Sequence, residues 1–249
     1  EVVLILNDWM DLRWASEFSV FRAHLREMER YVRREYDPTN EEWQYATDML
    51  SGAYYASAGS ALVRHEKSHL MIHKIFWRIS VFQRLMSAAK TSDLLWDNVT
   101  RGNMNVSACD TRQRICRAVA NYPWSSKRRL EQAEEAIYDG LCIIRYLSSP
   151  VCYTHVFFLI ARADIFLRVM GDSPVSIKAI HEATQMAHEA EILTGGSDAR
   201  SSNRLRRHAR AFRHLGILYA RADRAREASD CLERALLFDE TAEHMHHSE

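Results

Sequence analysis

The chain has 249 residues, enough to bury a sizeable core in one large domain or two small ones. Hydrophobic residues make up 47% of it, which excludes a disordered chain. The 8 glycines and 4 prolines are too few for a sandwich or barrel with many tight turns, so the composition predicts long helices.

Helical periodicity runs through the first half of the chain, and residues 1–105 are predicted to form an N-terminal helical bundle. The Ala-Gly-Ser segment 56–60 marks either a tight corner or a close helix contact, and residues 91–93 are expected to cap a short helix. The polar segment 101–105 is the best candidate boundary. The first four helices are predicted at about 2–15, 17–36, 40–58 and 61–89.

The second half reads as successive helix pairs, so the predicted fold class is all-α. Ser173 is expected to be an N-cap, with Pro174 at the first helical position. Residues 106–240 are assigned to these helices, and residues 241–249 are expected to form a disordered tail. The predicted helices are at about 107–121, 126–147, 151–170, 174–194, 203–222 and 224–238.

One segment near the C-terminus, residues 209–240, carries a pattern of large and small residues at Phe212, Leu215, Gly216, Tyr219, Ala228, Leu232 and Ala235. Gly216 and Ala228 are expected to let two paired helices approach closely. The segment resembles a tetratricopeptide repeat (TPR). Glu240 replaces the closing proline of that family, which suggests that this repeat is the last. Weaker echoes upstream, around Gly140 and Ala179, have irregular spacing.

The resemblance implies a right-handed α-solenoid, here of three helix pairs, with a groove lined by the first helix of each pair. By analogy with the family, Arg210, Arg213, Ile217 and Arg221 point into the groove. Three arginines around one aliphatic residue suit an acidic, partly hydrophobic segment of a partner protein. The alternative is a solvated basic face. The expected function is therefore a non-catalytic interaction scaffold, a subunit of a larger assembly, rather than an enzyme.

A second motif, His65-Glu66-Lys67-Ser68-His69, fits the H-E-x-x-H pattern of zinc peptidases. On one helix His65 and His69 would share a face, with Glu66 as general base. Lys67 places a charge inside the motif, and no glutamate follows before Glu131 to act as a further ligand. A histidine-rich helix face is therefore favoured, a metallopeptidase remains the remote alternative, and no cofactor is expected.

Arginine dominates the cations, with 28 Arg against 5 Lys, while the formal net charge is zero. Genome composition and a need for bidentate contacts to carboxylates or phosphates both explain this bias. Nine arginines lie between Arg200 and Arg226, so an RNA-contacting structural subunit of a ribonucleoprotein assembly is the alternative function. Overall neutrality argues against a free-standing nucleic-acid binder.

The five cysteines are odd in number and form no C-x-x-C pair, which is typical of reduced core cysteines in an intracellular protein. Cytoplasm or an organelle matrix is expected, and the mitochondrial matrix would fit if a targeting segment had been removed. No uninterrupted apolar run approaches the length of a membrane span.

Overall fold

The computed structural model describes residues 27, 29–32, 34, 41–67, 70–98, 105–122, 128–146, 153–194 and 202–246. Within these ranges, the side chains of residues 60, 63–67, 77, 146, 202, 245 and 246 are not described. The predicted helix at 2–15 and most of the one at 17–36 lie outside the described residues.

The described part of the chain is helical and contains no strand, so the predicted all-α class is confirmed. Helices that follow each other in the sequence pack against each other in pairs, as in an α-solenoid. None of the described helices is long and apolar enough to cross a membrane. The helices with defined bounds are α1 (Glu41–Lys67), α2 (Met71–Asn98), α3 (Val106–Ala120), α4 (Arg128–Tyr146), α5 (Tyr153–Met170), α6 (Pro174–Leu193), α7 (Ser202–Arg221) and α8 (Ala225–His246).

Two compact units divide the chain inside α4, with unit 1 ending at Asp139 and unit 2 beginning at Gly140. The sequence placed the boundary at the polar segment before residue 106 instead. The difference lies in α3, whose main packing partners are α1 and α2, so this helix belongs to unit 1.

Unit 1 is built on the pairing of α1 with α2, and α3 closes the core they share. The Ala-Gly-Ser segment does not form a corner, since α1 runs through it without interruption. The alternative prediction, a close helix contact, is confirmed. Ala58 of this segment and Ala61 just after it are buried in the same cluster as Ala88 and Ala89 of α2. Small side chains allow the two helices to approach closely.

Two predicted helix bounds in unit 1 are wrong. The helix expected over 61–89 is interrupted, because α1 ends at Lys67 and α2 begins at Met71. Residues 91–93 do not start a new helix but continue α2. Thr91 lies in the helix interior, where its hydroxyl is satisfied by donating to the carbonyl of Ser87, four residues earlier, at 3.0 Å.

Unit 2 contains the pairs α5/α6 and α7/α8, and α7 packs on both helices of the preceding pair. Unit 2 therefore contains two helix pairs, whereas the sequence predicted three, because α3 packs in unit 1. The predicted cap of α6 is confirmed: the Ser173 hydroxyl accepts from the amide of Ser176 at 3.3 Å, and Pro174 occupies the first helical position.

The crossing of α7 and α8 rests on Gly216. A Cβ at this position would lie 2.7 Å from Cγ of Leu232 and 3.2 Å from the Ala228 carbonyl oxygen. Phe212, Leu215 and the other large residues of the repeat-like pattern are buried around the crossing, except Leu232, which is 38% exposed. The predicted close approach at Gly216 and Ala228 is confirmed.

The last helix is longer than predicted. It continues to His246, beyond the expected start of the tail at residue 241, and Ala242 is almost fully buried. The buried Phe238 and Ala242, one turn apart, keep this end of α8 on the core.

A matched pair of glycine substitutions tests how tightly unit 2 is packed. A Cβ at Gly140 would lie 2.5 Å from the ring of Phe158, which is fully buried. We expect Gly140→Ala to lower the free energy of unfolding by about 1–3 kcal/mol, measured by urea denaturation.

The control is Gly52→Ala in α1. A Cβ there meets no atom within 4 Å, so alanine should raise stability by about 0.5–1 kcal/mol through its better helix propensity. Equal responses at the two glycines would contradict the close contact with Phe158.

Candidate partner-binding groove

The four residues predicted to line a groove share one exposed face of α7. Arg210, Arg213, Ile217 and Arg221 are spaced by three or four residues, so they follow each other along the helix. Ile217 is 47% exposed in the middle of the three arginines. The four side chains therefore lie along one exposed face of α7, and the groove that this face would line stays a prediction.

On one side, the exposed face of α7 lies next to α5, the first helix of the preceding pair. The Arg221 guanidinium donates to Oδ1 of Asp164 on α5 at 2.7 Å. Arg168 contacts the other oxygen of the same carboxylate at 3.0 Å. The Asp164 side chain is only 4% exposed, so two arginines neutralise a buried acid. Arg221, predicted as a groove residue, thus has a structural contact within the chain.

The other two arginines also have partners within the chain. Arg213 is paired with Asp239 of α8, and the guanidinium of Arg210 lies 5.4 Å from the ring centroid of Phe157 on α5. Sequence reasoning did not identify Asp164, Asp239 or Phe157. Asp164 lies 57 residues from Arg221, and Asp239 lies 26 residues from Arg213, so no local sequence pattern connects these pairs.

These contacts differ in how readily they can be exchanged. The side chain of Arg213 is 52% exposed, and a surface ion pair of this kind contributes only about 0–1 kcal/mol. Arg221 is bound to a buried carboxylate, whose separation from its arginines costs much more. An incoming acidic group would therefore compete for Arg213 and Arg210 more easily than for Arg221.

A buried polar cluster around His208 joins α7 to its three neighbouring helices. The Tyr153 hydroxyl of α5 lies 2.5 Å from both ring nitrogens of His208, and Oγ1 of Thr194, at the end of α6, lies 3.0 Å from Nε2. Phe238 of α8 stacks on the imidazole with ring centroids 4.9 Å apart. A neutral imidazole suits two hydroxyl partners, because one nitrogen donates and the other accepts.

Two further contacts hold α6 against the last helix pair. The buried Tyr219 hydroxyl lies 3.1 Å from Oγ1 of Thr184 and 3.0 Å from Nδ1 of His181, both on α6. Arg234 of α8 forms a two-pronged contact with Glu191 of α6, through Nε at 2.9 Å and a terminal nitrogen at 2.5 Å. These contacts fix α6 against both helices of the last pair.

The outer edge of the last pair is apolar. Leu232 and Leu236, one turn apart on α8, are exposed. In a solenoid the next helix pair covers such an edge. Among the described residues nothing packs there.

The H-E-x-x-H motif spans the end of α1 and the residues after it. The side chains of His65 and Glu66, and the whole of His69, lie outside the described residues, so the metal reading stays untested. The described part of the chain contains no group of three side chains that could hold a metal ion. His73 lies on α2 and is exposed.

The described cysteines are unpaired, and two of them are poor nucleophiles. Burial raises the pKa of the Cys109 thiol to about 12 and that of Cys231 to about 11. Since the thiolate is the reactive form, neither offers a catalytic group. The four described free cysteines are Cys109, Cys116, Cys142 and Cys231.

The chain matches no protein-family model, no curated protein and no solved structure. The tetratricopeptide resemblance therefore stays a prediction, and the function must be argued from the chain's own residues.

The buried carboxylate of Asp164 yields a test of the groove's charges. The double substitution Arg168→Gln/Arg221→Gln leaves this acid without its two guanidiniums, which should cost on the order of 3 kcal/mol of stability by urea denaturation. Adding Asp164→Asn removes the charge and should restore most of the loss. A triple variant no more stable than the double variant would contradict the proposed neutralisation.

The His208 cluster predicts a pH dependence. Burial lowers the pKa of His208, and nearby Arg234 acts in the same direction, although Glu191 opposes it. An unfolded histidine titrates near pH 6.5, so between that pH and the lower folded pKa the unfolded chain binds more protons. Stability from His208 is complete above this window and is lost as the pH falls through it.

We expect the melting temperature to fall between about pH 7.5 and about pH 5.5, and His208→Gln to reduce that fall. His155 contributes in the same direction, because burial also lowers its pKa. His214→Gln, at an exposed position of the same helix, is the control. An unchanged pH response in His208→Gln would show that the imidazole titrates as it does in the unfolded chain.

Proposed function

We propose that this protein is a non-catalytic interaction scaffold that holds an acidic, partly hydrophobic segment of a partner protein. The segment would lie on the exposed face of α7, in a TPR-like groove beside α5. The observation that carries this proposal is Ile217, an aliphatic side chain nearly half exposed among Arg210, Arg213 and Arg221. Exposed apolar surface with charge around it is typical of interaction sites.

The energetics of the face support an acidic ligand. A partner carboxylate can replace Asp239 at Arg213 at little cost, because the existing pair is exposed to solvent. Arg210, held over Phe157, offers a second guanidinium beside an aromatic ring. An aliphatic side chain of the partner would cover Ile217, while Arg221 remains with Asp164.

A larger assembly inside the cell fits this role. The four described cysteines are unpaired, as expected in a reducing compartment. The apolar edge of α8, formed by Leu232 and Leu236, offers a second surface on which another subunit can continue the helical stack. The scaffold proposal thus has two candidate surfaces, the arginine face and this edge.

An RNA-contacting subunit is the second candidate, favoured by the first half of α7. Arg204, Arg206 and Arg207 are exposed there and form no ion pair with a described residue. Free guanidiniums of this kind suit phosphates. Binding that weakens steeply with salt and survives substitution of the Ile217 face would favour RNA over a protein partner.

Charge reversal on the face tests the scaffold proposal. We expect Arg210→Glu/Arg213→Glu to weaken binding of a stoichiometric protein partner at least about tenfold, or about 1.4 kcal/mol. The partner is identified by gentle affinity purification of the full chain and mass spectrometry, and its affinity is then measured with purified proteins. The helix content and melting temperature of the variant should stay close to those of the wild type, because both arginines are exposed.

The matched control is Arg226→Glu, which reverses an exposed arginine of α8 outside the face. Leu232→Ser/Leu236→Ser tests the apolar edge separately. If the charge-reversed variant kept every partner at wild-type affinity, the groove proposal would be wrong. Loss of the partner only in the leucine variant would assign it to the edge.

A further inference from the structure

Unit 1 contains a cavity that is separate from the α7 face. It lies between α1, α2 and the end of α3, with a volume of about 450 Å³, within the range of sites for small molecules. Its walls are mainly apolar, and the described residues that line it include no acid. A cavity of this size and character is suited to an organic ligand with a hydrocarbon body.

The cavity has a closed, apolar end and an open, cationic end. Val81 and Leu85 of α2 line it and are almost fully buried, as is Ala58 of α1. Arg78 lies three residues before Val81 and seven before Leu85, so it is on the same face of α2, and it is exposed. A long ligand would therefore have its tail against Val81 and Leu85 and its head group at Arg78.

Arg78 is available for such a head group. It forms no ion pair or hydrogen bond with a described residue, in contrast to Arg213 and Arg221 in unit 2. Tyr122 also lines the cavity: burial raises the pKa of the Tyr122 hydroxyl, and the charge of Arg78 opposes that rise. The guanidinium of Arg78 alone provides several donors for one carboxylate or phosphate.

A glycine keeps the cavity open on the side of α1. Gly59 lines it, and a Cβ at this position would meet no atom within 4 Å. Glycine inside a helix costs roughly 1 kcal/mol relative to alanine, and no packing contact of this residue offsets that cost. A larger side chain at this exposed position therefore has room beside the cavity.

We infer that this cavity binds a single-chain acidic amphiphile, a hydrocarbon chain that ends in a carboxylate or phosphate. Arg78 binds the acidic head, and the chain lies along Val81 and Leu85. This binding site is in unit 1 and does not depend on the scaffold proposal for α7.

Calorimetry of the full chain with dodecanoate, below the concentration at which it forms micelles, tests the site. We expect one molecule bound, with Gly59→Leu weakening binding at least about tenfold because leucine occupies the space of the chain. Arg78→Gln should weaken it several-fold by removing a charge-assisted contact, and dodecyltrimethylammonium, of opposite charge, should bind far more weakly.

Gly52→Leu is the matched control, because it gives the same gain in helix propensity in the same helix. A Cβ at Gly52 also meets no atom within 4 Å, but Gly52 does not line the cavity. Both glycine variants should fold. Dodecanoate binding that is equal in Gly59→Leu and Gly52→Leu would overturn the proposal, and so would equal binding of the two amphiphiles.

A vesicle arm distinguishes a free amphiphile from one held in a bilayer. If the wild type sediments with phosphatidylcholine–phosphatidylglycerol vesicles and Gly59→Leu does not, the cavity takes its acyl chain from a membrane. Calorimetric binding without sedimentation assigns the site to free acids. Sedimentation that persists in Gly59→Leu, together with unchanged dodecanoate binding, would assign the ligand to the exposed apolar residues Ile72, Ile75 and Phe76 of α2 and overturn the cavity site.

Discussion

Both units depend on helices that cross at small residues. Ala58 and Ala61 bring α1 against α2 in unit 1, and Gly216 brings α7 against α8 in unit 2. Close approach leaves no space at the crossing, so larger neighbours such as Phe212 pack beside it and fix the position of the helix. The exposed face of α7 follows from this arrangement, because the residues not used in the crossing must point outward.

Arginines on the exposed face of α7 form ion pairs that stabilise the fold, and they also make this surface positively charged. Arg221 neutralises the buried Asp164, whereas Arg213 pairs with Asp239 in contact with solvent. Only the second kind of contact can be exchanged cheaply with a partner. The cavity in unit 1 shows a different use of arginine, since Arg78 has no acidic partner among the described residues and lies at the mouth of an apolar space.

Sequence patterns predicted the helices well where caps and breaks are local. Ser173 and Pro174 mark the start of α6, and small residues mark the crossing of α7 and α8. The pattern failed at Lys67, because no glycine or proline marks the end of the helix there. It could place Arg210, Arg213, Ile217 and Arg221 on one face, but not their partners, because ion pairs between distant helices depend on tertiary packing.

The contact between Arg234 and Glu191 bears on the arginine bias of the chain. Two nitrogens of one guanidinium reach two oxygens of one carboxylate, a geometry that an ammonium group cannot reproduce. Asp164 likewise uses a separate arginine for each oxygen. A lysine-rich version of this protein would have the same net charge and isoelectric behaviour, yet its helix pairs would lack these forked contacts. The shape of the cation, and not its charge alone, is part of the architecture.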